Sequence, residues 1–419
     1  MRCLHVSAAY WPVLGGAEAY LQGLSERLVA AGHAVTVATT NAASVEYLLS
    51  GKGERVNAPR ETHSGVSILR FPVRHLPFSP YSYQFLRRLT SEVSRIPVCS
   101  SYVPVRWGRY MPWVPSLETA LSGCNGTFDL VHGVNLSYES LPLTALRHAQ
   151  KTGSPFLFTP LLHIGEKVGG TVYRYCTMAH QLELFRGSTK IIVQTDKERD
   201  VLLRIGIEGS KIEKVGVAVD LRQIQGGNGQ RFKKEHGIDK PLAAFVGRVS
   251  YDKGAIHLVR AMRQLWDQGK EVDLVLAGSV GGRFAGYYAS LPSGIRERVK
   301  LLGPVKEEEK RDLLDAAEML VLPSRVDSFG IVFLEAWAYK KPVIGAAAGG
   351  VPEVIAEGED GLLVPFGDVG ALSQRIATLL DDEPMRRRLG EAGHRKVSQF
   401  YTWDVVFRKL EDIYRRLAG

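Results

Sequence analysis

Short apolar runs alternate with longer stretches patterned at three- and four-residue spacing along the whole chain. In the first half, Cys3–Ser7, Val35–Ala38, Leu130–His132, Phe156–Phe158 and Lys190–Val193 read as buried strands. Between the first two, Ala17–Ala31 reads as a helix with Tyr20, Leu21, Leu24, Leu28 and Val29 on one face, closed by Gly32. The alternation restarts with Leu242–Val246, Val272–Ala277, Val299–Leu302, Met319–Leu322 and Pro342–Gly345, each followed by a helix-like segment. Strand–helix alternation with right-handed crossovers builds a doubly wound parallel sheet. Two such stretches predict two α/β domains, 1–221 and 222–399, with the polar, glycine-rich Leu221–Gly229 as the linker. A last amphipathic helix carries Trp403, Val406, Phe407, Leu410, Ile413, Tyr414 and Leu417 on one side.

Size and composition agree with this picture. The 419 residues exceed one ordinary core, and 45% hydrophobic with 23% charged residues is the balance of a globular protein. The 43 glycines suit many tight loops at strand ends. Cys3, Cys99, Cys124 and Cys176 are far apart with no C-x-x-C pair, which argues against a zinc site or disulfide framework. No apolar run approaches the roughly 18 residues of a membrane span. His5 and the early Gly15-Gly16 make the start of the chain a first strand rather than a signal peptide, so a cytoplasmic protein is expected.

Charge changes the picture in one place. The net charge is +9, and residues 55–115 hold nine arginines (55, 60, 70, 74, 87, 88, 95, 106 and 109) against Glu61 and Glu92. Tyr81, Tyr83, Phe85, Tyr102, Trp107, Tyr110, Met111 and Trp113 lie among them. Such a stretch suits an anionic membrane surface or a phosphorylated acceptor. It equally suits a solvated loop whose aromatics fill a local core. No nucleic-acid motif accompanies it.

Ligands of doubly wound sheets bind beyond the carboxyl ends of the strands. Four post-strand segments carry candidate chemistry. Gly15-Gly16-Ala17-Glu18 lets backbone approach an anion at a helix start, although G-x-G-x-x-G is absent and a plain tight turn explains it as well. Gly247-Arg248 followed by Asp252-Lys253-Gly254 sets two cations at one strand–helix junction, suited to a diphosphate, or merely solvated. Leu322–Ala336 contains Asp327 in a loop, Gly330 opening a helix and Glu335 among apolar neighbours. A Glu there needs a polar partner, and ligand hydroxyls can serve; the alternative is a Glu turned to solvent. His163 follows the strand Phe156–Phe158 in Thr159-Pro160-Leu161-Leu162-His163; single loop histidines are commonly packing or surface residues. No D-x-D, P-loop or G-x-S-x-G occurs, and no cluster has metal-ligand spacing.

In this order the segments resemble retaining glycosyltransferases of the GT-B fold, the large family four type with mannosyl-, glucosyl- and sucrose-synthase-like members. The resemblance spans nearly the whole chain. It runs from Tyr10-Trp11-Pro12 with Gly15-Gly16-Ala17-Glu18, through Gly32-His33-Ala34-Val35, Asp129-Leu130-Val131-His132, Gly247-Arg248 and Lys253-Gly254. It is strongest at Asp327-Ser328-Phe329-Gly330-Ile331 with Glu335-Ala336, and ends at Gly349-Gly350-Val351-Pro352-Glu353. It implies two Rossmann-like domains facing across a cleft, the first binding acceptor and completed by the helix 400–419, the second binding the nucleotide sugar.

Site roles follow from the resemblance. Arg248 and Lys253 grip the donor diphosphate, and Glu335 meets the ribose. Asp327 holds sugar hydroxyls, and the Ser328, Phe329, Gly330 and Ile331 segment offers backbone N–H groups. Val305 presents backbone to the base, Gly16 closes over the phosphates, and His163 lies beside the anomeric carbon. The implied reaction moves a hexose-type sugar from a nucleoside diphosphate (UDP or GDP) to an acceptor hydroxyl with retention. It needs no metal or other cofactor. It belongs to polysaccharide, glycolipid or glycoconjugate synthesis. The basic aromatic stretch 55–115, rather than the resemblance, points to a lipid-linked or phosphorylated acceptor and an anionic membrane surface as partners, with the protein peripheral on the inner membrane face. The family usually has Glu at position 327, Asn-Gly-Val-Asp where this chain has Val217-Ala218-Val219-Asp220, and a second His at Val134. Alternatives are a 2-epimerase-like enzyme of the same fold, a phosphorylase (no phosphorylase-like lysine motif is present), or a non-catalytic sugar-nucleotide-binding subunit.

Overall fold

The computed structural model describes residues 1–13, 15–96, 102–124, 128–162 and 171–419. The chain divides into two compact units. The first takes Met1–Leu162, residues 171–216, and Phe407–Gly419; the second takes Val217–Val406.

The first unit is built on eight strands: β1 (Arg2–Val6), β2 (Ala34–Thr40), β3 (Arg60–His63), β4 (Val66–Phe71), β5 (Leu130–Val134), β6 (Phe156–Thr159), β7 (Lys190–Val193) and β8 (Ile212–Lys214). They lie in the order β3-β4-β2-β1-β5-β6-β7-β8. All pairs are parallel except the edge hairpin β3–β4. Residues 2–134 reverse direction in strand order at β1, which creates a switch point between β1 and β5. The central strands are buried on both faces, as parallel sheets require.

Residues 55–96 and 102–115 form more than a solvated loop. They contain β3, β4 and the helices Tyr81–Val93 and Tyr102–Gly108. Met111 is fully buried, while Tyr81 and Phe85 stand in solvent. The pattern hid β4 because Arg70 interrupts it; that side chain is buried and pairs with Glu61 of β3.

The last helix, Trp403–Ala418, is tied into the first unit by a buried polar chain. His5 Nδ1 lies 2.8 Å from Ser25 Oγ, whose hydroxyl donates to Leu21 O. Tyr414 Oη lies 3.0 Å from His5 Nε2 and 2.5 Å from His132 Nδ1. His132 Nε2 lies 2.8 Å from Thr159 Oγ1. Burial lowers the His5 pKa to about 3 and pushes His132 well below its usual range. With both rings neutral, each hydroxyl and ring nitrogen can alternate donor and acceptor along the chain.

The second unit has six parallel strands: β9 (Leu242–Val246), β10 (Asp273–Ala277), β11 (Val299–Gly303), β12 (Met319–Leu322), β13 (Val343–Ala346) and β14 (Gly361–Val364), in the order β11-β10-β9-β12-β13-β14. The order again reverses at one place, between β9 and β12. The segment Leu221–Gly229, read above as the linker, is packed into this unit. Gly227 N–H donates to Tyr339 Oη at 3.0 Å, and Asn228 N–H to Asp312 Oδ1 at 2.7 Å. Its polar residues cap helices rather than spanning solvent: the Asn228 side chain accepts from Arg231 N–H.

Candidate active site

The carboxyl ends of β9 and β12 converge at the switch point of the second unit, and two glycines make that approach possible. Gly254 has φ +82, and a Cβ there would sit 2.2 Å from the Pro323 carbonyl oxygen. The helix Ala255–Asp267 therefore starts directly against the segment that leaves β12. Gly330 has φ +85, and a Cβ there would meet the Phe333 ring at 2.5 Å. It caps the helix Ile331–Ala338, whose first turn closes with Phe333 N–H to Gly330 O at 2.9 Å. The N–H groups of Ile331 and Val332 precede that bond and carry the positive end of the helix dipole.

Side chains bridge the same two strand ends. Lys253 Nζ lies 2.5 Å from Asp327 Oδ1, across 74 residues of sequence. Arg325 holds Asp252 through Nε and Nη2 at 3.0 and 2.7 Å, and its N–H donates to Asp252 O at 3.0 Å. Gly350 N–H donates to Asp327 O at 3.1 Å, fixing the acid-bearing loop from the β13 side. Arg248 follows β9 with an exposed side chain and no ion pair among the described residues. Together these give a junction with two acids, three cations and a helix start, which is suited to a phosphorylated ligand rich in hydroxyls.

Glu335 is only 14% exposed and faces Lys310 of the helix Glu307–Ala316. Lys310 Nζ lies 2.8 Å from Glu335 Oε1 and 2.8 Å from Glu307 Oε2. Burial pushes the ammonium pKa down, but the two carboxylates outweigh it and the net shift is upward. Glu335 is thus neither turned to solvent nor dependent on a ligand for its partner. Lys310 was invisible to sequence reasoning, because nothing in a helix pattern marks a contact made 25 positions away.

The expected site residues fall into three groups. Arg248, Lys253, Asp327, Ser328, Gly330 and Ile331 all lie in the second unit beyond strand ends or at the helix start beyond β12, Glu335 lies inside that helix, and Val305 lies in the segment between β11 and the helix Glu307–Ala316. Phe329 is there too, but its ring is buried edge-on against Tyr401, with centroids 5.3 Å apart, so only its backbone is available. Gly16 opens the helix Gly16–Ala30 in the first unit, at the end of β1. Burial raises the pKa of its neighbour Glu18. His163 lies outside the described residues. Among the described residues no three His, Cys, Asp or Glu side chains are grouped closely enough to hold a metal ion.

Two doubly wound units, one with a cation- and acid-lined switch point, define an α/β protein of the GT-B class. The chain belongs to the glycosyltransferases of family four type. A family described as "Glycosyl transferase 4-like domain" matches residues 15–218, and "Glycosyl transferases group 1" matches residues 228–396. A D-inositol 3-phosphate glycosyltransferase of Streptomyces avermitilis is 28% identical over 69% of this chain and 65% of its own length. Other relatives of that description are matched over about half their length. Sucrose-phosphate synthase from Thermosynechococcus elongatus has the same fold, with a TM-score of 0.75 and 20% identity over 99% of this chain and 98% of its own. Anabaena Alr3699/HepE in complex with UDP-glucose superposes with a TM-score of 0.72 and 16% identity over 100% of both chains.

Proposed function

We propose that the protein transfers a hexose-type sugar from a nucleoside diphosphate, UDP or GDP, to an acceptor hydroxyl with retention of anomeric configuration and without a metal. The observation that carries this reading is the junction of β9 and β12, where Arg248, the Lys253–Asp327 pair and the Gly330 helix start share one strand edge.

Arg248 and Lys253 would bind the diphosphate, with Arg248 free to engage two oxygens at once. As the bond from the anomeric carbon to the phosphate oxygen breaks, charge grows on the leaving diphosphate. Fixed cations and helix N–H groups stabilise that charge without reorganising. The acceptor oxygen forms the new bond to the anomeric carbon, and its proton passes to the departing phosphate. No covalent nucleophile is assigned. Asp327 would hold sugar hydroxyls, Glu335 the ribose, and the backbone at Val305 the base.

The donor class is supported by the UDP-glucose complex of the Anabaena neighbour. A phosphorylated acceptor is supported by the relatives' name, which specifies inositol 3-phosphate. Synthesis of a polysaccharide or glycoconjugate at the inner membrane face fits both.

Thermal shift with UDP, GDP, ADP and their sugars, each with and without EDTA, tests the reading. A ligand that binds only the native state raises its melting temperature. One nucleotide should stabilise the protein equally with EDTA present, and Arg248→Ala should abolish the shift. A shift that EDTA removes would overturn metal independence. No shift with any nucleotide, together with no transfer or donor hydrolysis, would overturn the donor assignment.

A further inference from the structure

The helix Tyr81–Val93 is turned inside out. Tyr81, Gln84, Phe85 and Arg88 recur at helical spacing and share one face. That face looks to solvent: Tyr81 is 76% and Phe85 68% exposed, and Phe78, just before the helix, is 88% exposed. The opposite face buries charge. Glu139 is fully buried, 3.0 Å from Arg87, and accepts from Gln181 Nε2 at 2.7 Å. Burial pushes the Glu139 pKa up, but Arg87 and His180 outweigh it and hold the carboxyl below its usual range. A helix that only closed a core would carry its aromatics inward and its ions outward.

Two further observations mark the outward face as a binding surface. Phe78 adopts φ +60, a conformation that costs a bulky residue and here directs an aromatic residue into water. Beside it, a groove of about 460 Å³ is lined by Tyr81, Gln84, Phe85, Arg87, Arg88 and Tyr175. Its charge is positive. Arg87 is matched by Glu139, and Glu92 by Arg95 at 3.1 Å, whereas exposed Arg88 has no ion pair among the described residues. Arg74, also exposed, lies over the Trp113 ring and shares a small pocket with Tyr83 of this helix.

We infer that this face docks on an anionic lipid bilayer. Phe78, Tyr81 and Phe85 enter the boundary between headgroups and acyl chains, and Arg88 meets lipid phosphate at the groove. Aromatic rings with arginines on one exposed surface are the chemistry of interfacial binding. A twofold pairing with a second copy would set the same unmatched arginines against each other, so the charge favours an anionic surface. The inference is independent of the proposed reaction: vesicle binding and sugar transfer can fail separately.

The test is co-flotation of the full chain with vesicles of phosphatidylcholine alone and of phosphatidylcholine mixed with phosphatidylglycerol. Binding should appear only with the mixed vesicles at low salt and weaken as salt rises. The double variant Phe78→Ser/Phe85→Ser and the variant Arg88→Glu should each weaken it roughly tenfold or more. All substituted side chains are exposed, so melting temperatures should be unchanged. Absence of binding at low salt overturns the inference, as does binding that both variants leave intact. Loss of binding on adding glycerol 3-phosphate would make the groove a pocket for a free phosphate ester. A dimer that Phe78→Ser/Phe85→Ser dissociates would make the face an interface between copies. Either result overturns docking on lipid.

Discussion

Lys310 Nζ stands 2.8 Å from Glu335 Oε1, although the two residues come from different helices, 25 positions apart. Lys310 is 17% exposed and also holds Glu307. The pair fixes one carboxylate oxygen of Glu335 and leaves Oε2 with no hydrogen bond among the described residues. A hydroxyl donor from a ligand can therefore be received at a defined position.

Lys310→Met should loosen that carboxylate. UDP affinity should fall roughly tenfold, the scale of one charge-assisted hydrogen bond. The preference for UDP over its deoxyribose analogues should shrink with it, and Lys310→Arg should restore part of it. Calorimetric titration of each nucleotide checks this. If the wild type shows no preference for ribose, Glu335 does not read the sugar ring. If Lys310→Met keeps the full preference, Lys310 does not position it.

Arg248→Ala and Lys253→Ala should each reduce turnover by roughly 10²-fold or more, as loss of a preorganised donor to a developing oxyanion does. The two should differ in stability. Arg248 is exposed and unpaired among the described residues, so its removal should leave the melting temperature unchanged. Lys253→Ala leaves the mostly buried Asp327 carboxylate without its lysine, and should lower it. Steady-state kinetics alongside calorimetry separates the two effects.

Gly254→Ala should destabilise the second unit. A positive-φ alanine is strained by about 1–2 kcal/mol, and here the added Cβ would also sit 2.2 Å from a backbone carbonyl. Gly226, with φ +96 and open space around it, is the control: its alanine variant should show the strain alone. Thermal denaturation of both variants measures the difference.

Acid should unfold the first unit through its buried histidines. His5 has a folded pKa of about 3 against an ordinary value of 6.5. Below pH 6.5 the unfolded chain takes up a proton that the folded chain refuses. Stability is thus full above pH 6.5 and falls by about 1.4 kcal/mol per pH unit per histidine as pH drops toward 3. His132 adds to the loss in the same direction. Denaturant titrations between pH 7 and 5 should show a steeper decline for the wild type than for His5→Asn. Equal slopes would mean that the proton is accommodated in the folded state.

The two-fold repetition of strand and helix was legible along the chain, because buried parallel strands are near-continuous apolar runs and leave a clear pattern. The sequence also placed Gly254, Gly330, Arg248 and Lys253 beside strand ends and helix starts, since those are local features. Which charges meet depends on contacts made between distant segments. Lys253 could have faced solvent until β9 and β12 brought Asp327 to it. Glu335 looked orphaned until Lys310 arrived from a neighbouring helix. Strand β4 was obscured because Arg70, a charged residue near its end, is satisfied by a partner on β3. The helix Tyr81–Val93 showed its aromatic residues in the sequence, but not that Tyr81 and Phe85 point outward. That orientation is set by the buried Arg87–Glu139 pair, a contact across 52 positions that no local pattern encodes.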